Sequence, residues 1–252
     1  VMGDLGGKQV FNSNGTIITE GEEYCAWYGY KASGLFQNAE EISNSALLVS
    51  SVKPGDVKYM DISGPDGTPD GIINDTHDRT VLGSSLPHYI YGGSINLGWK
   101  GISFSVLFNG VGHQLSRLTE DMVRPLQSQW LPSPSVIRNS DGSRNYWSVY
   151  NTDEENLKAK YPRLSHSSGE YNNYKMSDYW LKNSAFLRVK NINLGYTFPK
   201  ALISKVNVKG LRVYFNVDDP FCFDNYLKGW DPEAGASTYI ARTWTFGLDL
   251  KF

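Results

Sequence analysis

The residues richest in chemical potential lie in the segment Asp61-Ile-Ser-Gly-Pro-Asp-Gly-Thr-Pro-Asp-Gly-Ile-Ile-Asn-Asp-Thr-His-Asp78. Carboxylate and amide oxygens recur there at short spacing and glycines permit a tight curl, a pattern that suits Ca²⁺ with its roughly six to eight oxygen ligands. The same residues also read as a pair of Asp-Gly turns without metal. A second candidate is Trp230-Asp231-Pro-Glu233, where two carboxylates beside an aromatic could be fitted to glycoside hydrolysis. Such a pair needs a defined separation across a pocket and one raised pKa, whereas Asp-Pro in a long loop is ordinary turn chemistry. His77, His88, His113 and His166 lack partners at ligand spacing, and no Gly-x-Ser-x-Gly, phosphate loop or Cys-His pairing occurs. The expectation is a protein that is not an enzyme.

The elements that must position these residues are strands. From Trp244 to Phe252 apolar side chains occupy the even positions, Trp244, Phe246, Leu248, Leu250 and Phe252, opposite Thr245, Gly247, Asp249 and Lys251. Successive strand residues point to opposite faces, so one face suits lipid and the other water. An aromatic in the last position is what the closing strand of an outer-membrane barrel shows, although a soluble sheet edge alternates too. Four further segments repeat the pattern: Tyr89 to Trp99 on odd positions, Ile102 to Phe108 on even ones, Asn191 to Phe198 on even ones, and Leu211 to Val217 on odd ones. The first two, joined at Lys100-Gly101, read as a hairpin. Weaker strand candidates surround Val10 and Tyr28. The alternate faces are dominated by Gly, Ser and Asn rather than by the Lys, Glu and Thr of a solvent-facing sandwich, which favours a crowded wet lumen.

Composition sharpens the choice. Twenty-four basic and 26 acidic residues leave a formal charge of -2, which argues against nucleic acid as a partner. No apolar run is long enough for a transmembrane helix. Sixteen Tyr and seven Trp would supply the aromatic girdles of a transmembrane barrel. Cys25 and Cys222 have no metal spacing and are too few for a disulfide scaffold, so they read as buried or lipid-facing thiols. Val1-Met-Gly-Asp lacks a signal-peptide pattern, as a mature product or a fragment would. Short connections at Lys100-Gly101 and 199–210 alternate with long polar stretches at 38–87, 112–183 and 219–237, the loop asymmetry of a barrel. The long loops are expected outside the cell, where Trp130, Trp147, Trp180 and Trp230 could stack on a substrate or anchor at an interface.

Several of these segments together resemble the SusC/RagA family of TonB-dependent outer-membrane transporters of Bacteroidetes. The similarity runs through Tyr28-Gly-Tyr-Lys-Ala-Ser-Gly-Leu-Phe-Gln-Asn, Pro54-Gly-Asp-Val-Lys-Tyr-Met-Asp, Asp78-Arg-Thr-Val-Leu-Gly, Tyr161-Pro-Arg-Leu, Asn172-Asn-Tyr, Ser177-Asp-Tyr-Trp-Leu, Phe186-Leu-Arg-Val-Lys-Asn-Ile-Asn-Leu-Gly-Tyr-Thr-Phe-Pro and Trp230-Asp-Pro-Glu. The resemblance implies an all-β fold in which residues 1–252 are the C-terminal portion of a large antiparallel transmembrane β-barrel with long extracellular loops, the plug domain and earlier strands lying outside this chain. It implies import of a nutrient, oligosaccharide or peptide, across the outer membrane, powered by TonB, with a SusD-like surface lipoprotein as lid; the loop 112–183 is expected to meet that lid. It also places an EF-hand-like Ca²⁺ loop on Asp61, Ser63, Asp70, Asn74 and Asp78. Departures from the family pattern are the Pro65 to Pro69 insertion, Ser63 in place of Asn, and a displaced Asp78, with Asp66 and Asp75 as substitutes in another register. The rival from a different class is a soluble aromatic-rich β-sandwich that binds glycans; a surface adhesin or structural barrel is a third.

Overall fold

The computed structural model describes residues 1–124, 134–165, 172–203, 208–235 and 238–252. The chain divides into two compact units, one of Val1–Leu86, Leu115–Asn183 and Leu227–Trp230, the other of Pro87–Gln114, Ser184–Tyr226 and Asp231–Phe252.

The first unit is built from short strands. Strands β1 (Val10–Phe11), β2 (Thr16–Ile18), β3 (Ala26–Tyr30) and β6 (Arg79–Ser84) form a four-stranded sheet in the order β1-β2-β3-β6, and β4 (Ala32–Leu35) pairs with β5 (Val57–Tyr59). The strands near Val10 and Tyr28 therefore exist, but in a sheet of their own and not as further barrel strands. Their burial explains this: Ile17, Ala26 and Tyr30 are core residues, whereas lipid-facing strands keep one apolar face exposed. Tyr30, Leu35, Val57, Tyr59, Ile73 and Trp147 make one core cluster.

Side chains complete the unit's hydrogen bonding where strands stop. Val57 N–H donates to Asn173 Oδ1 (2.8 Å), Asn172 Nδ2 donates to the Val57 carbonyl (2.7 Å), and Asn173 Nδ2 donates to Asp56 Oδ1 (2.8 Å). Arg163 Nε closes on the same Asp56 oxygen at 2.8 Å. Sequence stretches far apart, 54–61, 161–164 and 172–174, thus meet at one buried network. Replacing Asn173 by Ala leaves the Val57 amide and a buried carboxylate short of partners, and we expect a loss of about 1–3 kcal/mol in the unit's stability, read by denaturant unfolding; a midpoint unchanged from wild type would show that the network contributes nothing.

The second unit carries the long strands. Strands β7 (Tyr89–Trp99), β8 (Ile102–Gly112), β11 (Phe186–Thr197), β12 (Gly210–Asp224) and β13 (Thr243–Lys251) form a five-stranded sheet whose order, β13-β12-β11-β8-β7, is a simple antiparallel meander. The remaining strands, β9 (Leu115–Arg117) and β10 (Leu181–Asn183), pair within the first unit. Lys100 and Gly101 both take positive φ, 45° and 90°, the two-residue hairpin turn whose twist matches its strands. A Cβ on Gly101 would also lie 2.6 Å from the Thr197 carbonyl oxygen.

Three strands outrun the expected boundaries: β8 continues past Phe108 to Gly112, and β11 and β12 extend through a register shift. Val189 pairs with Phe221 and Asn191 with Asp218, so Lys190 stands opposite two residues, Asp219 and Pro220, in a β-bulge. The alternation of β11 changes there from odd to even positions, which hides the segment Phe186 to Val189 from a simple period-two scan. Past the bulge Phe221 and Phe223 continue the apolar face, so 219–224 is strand and not loop. The stretches 38–87 and 112–183 likewise contain strands and short helices.

Candidate functional site

The five-stranded sheet has two chemically opposite faces. On one, register places Ile95, Val106, Ile192 and Val217 in a row, then Leu97, Phe104, Leu194, Phe215 and Phe246 in the next. Phe215 and Phe246 pack across strands with tilted rings and centroids 4.7 Å apart. Side chains here stay exposed, Leu97 at 61% and Phe246 at 80%, so among the described residues no second sheet covers them, as a sandwich would require. Trp99, Tyr196, Phe198 and Phe252 gather at the short-turn end, and Tyr89, Tyr91, Phe221 and Phe223 at the long-connection end, the double aromatic girdle of a membrane barrel.

The opposite face is polar. Asn191 Nδ2 donates to Asn216 Oδ1 and to Asp218 Oδ1, both at 2.7 Å, and Asn216 Nδ2 donates to Asp218 Oδ2 at 3.1 Å. A hollow of about 360 Å³ is lined here by Asn96, Ser103, Ser105, Asn193 and Arg212. Glycine is used for close approach: a Cβ on Gly247 would fall 2.0 Å from the Tyr214 ring on the neighbouring strand.

Charges gather on this face at the bulge. Arg188, with 3% of its side chain exposed, sets Nη2 at 2.5 Å from Asp231 Oδ2 and Nε at 3.2 Å from Glu233 Oε2. Lys190 Nζ lies 3.1 Å from Glu233 and 3.5 Å from Asp219. Burial tends to raise the Asp231 pKa, but the Arg188 guanidinium and the Glu233 and Ala234 amides outweigh it and hold the carboxyl below its usual range. Asp231 and Glu233 are thus more than turn formers, and the signal that could have found them was the pair of cations two residues apart on β11. Cys222 pairs with Arg188 across the strands and faces the same polar side, so it is not lipid-facing.

The segment 61–78 does curl around its carboxylates. Asp78, fully buried, accepts from the amides of Ile62 (2.9 Å) and Ser63 (3.3 Å) with Oδ1 and of Asn74 (2.8 Å) with Oδ2. Asp61 Oδ2 accepts from Gly71 N–H at 2.6 Å, and Asp70 Oδ1 from Ile72 N–H at 2.9 Å. Asn74 Oδ1 takes the amides of Thr76 and His77. Asp75, a substitute ligand in the sequence reading, instead accepts from the Tyr30 hydroxyl, and Asp66 is taken by Thr68. No cluster of three or more His, Cys, Asp or Glu forms among the described residues. Asp61 Oδ1, however, is buried without a hydrogen-bond partner, which fits the hard-oxygen donor a Ca²⁺ ion would use.

The tryptophans divide. Trp147 belongs to the first unit's core, and Trp180, 2% exposed, donates from Nε1 to the Asn173 carbonyl (2.7 Å) and stacks on Tyr174 at 5.4 Å. Packing claims both, so neither is available to stack on a substrate. Trp230 is partly exposed, and Trp130 lies outside the described residues.

Comparison with known proteins agrees with this geometry. No family model matches the chain. TonB-dependent receptor P3 of Formosa agariphila is 26% identical over 255 residues, 94% of this chain and 23% of its own length. TonB-dependent receptor SusC of Bacteroides thetaiotaomicron is 44% identical over 84 residues, 31% of this chain and 8% of its own length. The solved RagAB peptide importer in its open-open state superposes with a TM-score of 0.64 at 20% identity, over 98% of this chain and 24% of that one. The chain is similar to a partial region of SusC/RagA-type TonB-dependent transporters. It spans about a quarter of the length of the first relatives it matches.

SusC/RagA-type transporters reside in the outer membrane, where an exposed apolar face such as that of Trp244, Phe246, Leu248, Leu250 and Phe252 suits lipid and the opposite face, with Thr245, Gly247, Asp249 and Lys251, suits a wet lumen. The five strands do not close a barrel by themselves. The relatives are receptors and transporters rather than enzymes, consistent with carboxylates committed to ion pairs and backbone amides.

Proposed function

We propose that this region is the C-terminal part of a barrel that imports a nutrient, an oligosaccharide or a peptide, with a SusD-like lipoprotein as lid and with energy delivered through TonB to a plug encoded elsewhere in the transporter. The observation that supports it most is the two-faced sheet, apolar and exposed on one side, hydroxyl- and amide-lined on the other. That wall gates and guides; it performs no bond chemistry. The RagAB importer takes peptide, but at 20% identity the likeness carries the fold alone. Isolation of the intact transporter from outer membranes should bring with it a surface lipoprotein encoded beside it, and deleting the transporter should abolish growth on one class of oligosaccharide or peptide. Recovery of the transporter alone, with growth unchanged on both classes, would overturn the proposal.

We infer further that 61–78 takes Ca²⁺ through Asp61, with Ser63, Asp70, Asn74 and Asp78 shaping the loop. The partnerless Asp61 Oδ1 supports this. Chelation should speed proteolysis within the loop, and Asp61→Asn should remove the difference between chelated and Ca²⁺-loaded protein. Cleavage indifferent to chelation in the wild type would identify plain Asp-Gly turns.

A further inference from the structure

We propose that Arg188 is a positioning residue of the transporter, holding the turn at 231–235 against the polar face of the barrel sheet so that this turn sets the width of the pathway at the long-connection end. The proposal rests on the transport reading above.

Three observations lead to it. Arg188 sits two residues inside the end of β11 where the long connections emerge, level with Asn109 and Cys222 on the lumen face. Its partner Asp231 also builds the turn: Oδ1 accepts the amides of Glu233 (2.9 Å) and Ala234 (3.2 Å), and its carbonyl accepts Gly235 N–H at 2.8 Å. One carboxylate therefore shapes the turn with one oxygen and ties it to the wall with the other. Finally, Glu233 is held twice, by Arg188 and by Lys190, and Lys190 is the residue of β11 that the register shift leaves without a partner on β8.

Energetics favour a positional role over plain stabilisation. Taking a guanidinium out of water costs several kcal/mol, and replacing a buried ion pair with apolar side chains is often neutral or stabilising. The cluster gains direction: a neutral strand would leave the 231–235 turn without an anchor on the wall.

The test uses the intact transporter in outer membranes, with variants Arg188→Gln and Asp231→Asn. The second lies outside the strands and loosens the contact without altering the sheet, and Arg188→Lys keeps the charge but loses the planar fork. Hydrogen exchange at Glu233, Ala234 and Gly235 should accelerate on the order of tenfold in Arg188→Gln and Asp231→Asn, and less in Arg188→Lys. Entry of a small hydrophilic antibiotic should rise in the same order. Unchanged exchange in both neutral variants would overturn the anchoring, and faster exchange with unchanged antibiotic entry would overturn the role in setting the pathway. A wild-type transporter that imports nothing would instead sink the transport reading, leaving the exchange result to judge the anchoring alone.

Discussion

Residues 1–252 refolded alone into detergent or liposomes should give no stable, monomeric, membrane-inserted species. The reason lies at the edges of the five-stranded sheet. Strands β7 and β13 are each paired on one side only among the described residues, and each presents a row of free backbone N–H and C=O groups along its other side. In hydrocarbon no water reaches them, and every unsatisfied group costs on the order of several kcal/mol. Even the first few outweigh the typical stability of a whole domain, roughly 5–15 kcal/mol. The strands that satisfy those edges must come from elsewhere in the transporter. Electrophoresis of unheated samples and light scattering would report the outcome; a homogeneous inserted monomer of this chain would refute the assignment of both edges.

A single charge on the lipid face should be nearly as informative. Leu248 lies in the middle of β13, 57% exposed, on the same face as Phe246 and Leu250. Leu248→Arg in the intact transporter should cost about 2–4 kcal/mol of folding free energy if the site is near mid-membrane. Its neighbour Asp249 points the other way, with Oδ2 3.9 Å from Arg212 Nη1 and both side chains well exposed, so Asp249→Asn should cost less than about 1 kcal/mol. Urea titration of folding into liposomes compares the two. Equal losses would mean that the faces are misassigned.

The long strands were legible in the sequence because lipid on one side and a wet lumen on the other enforce a strict period of two. Tyr89–Trp99 falls where the alternation places it, and the next strand starts at Ile102 as expected and runs on to Gly112. Legibility ended where other physics took over. In 38–87 and 112–183 the order comes from asparagine side chains standing in for strand partners, as Asn172 and Asn173 do for Val57, and such pairings leave no periodic trace. Trp147 and Trp180 read as aromatics for a substrate or an interface because composition cannot separate a buried ring from an exposed one. The Arg188 cluster was missed because its partners lie 43 and 45 residues downstream, beyond any local motif.

The bulge at Lys190 carries one more consequence. A membrane strand is read two residues at a time, and an extra residue moves it into the other reading frame. In β11 the shift occurs once, between Val189 and Asn191. It lets Leu187 and Val189 meet lipid together with Ile192, Leu194 and Tyr196, and it keeps Arg188 in the lumen with Asn191. Were the bulge straightened with Lys190 kept in regular alternation and the lower half of the strand fixed, every side chain above it would change sides, and the guanidinium would be delivered to the hydrocarbon with no residue type altered. Which face a residue of β11 occupies is therefore a property of the count of residues between it and the bulge, so an alignment that slips by one position here would invert the apparent chemistry of the wall.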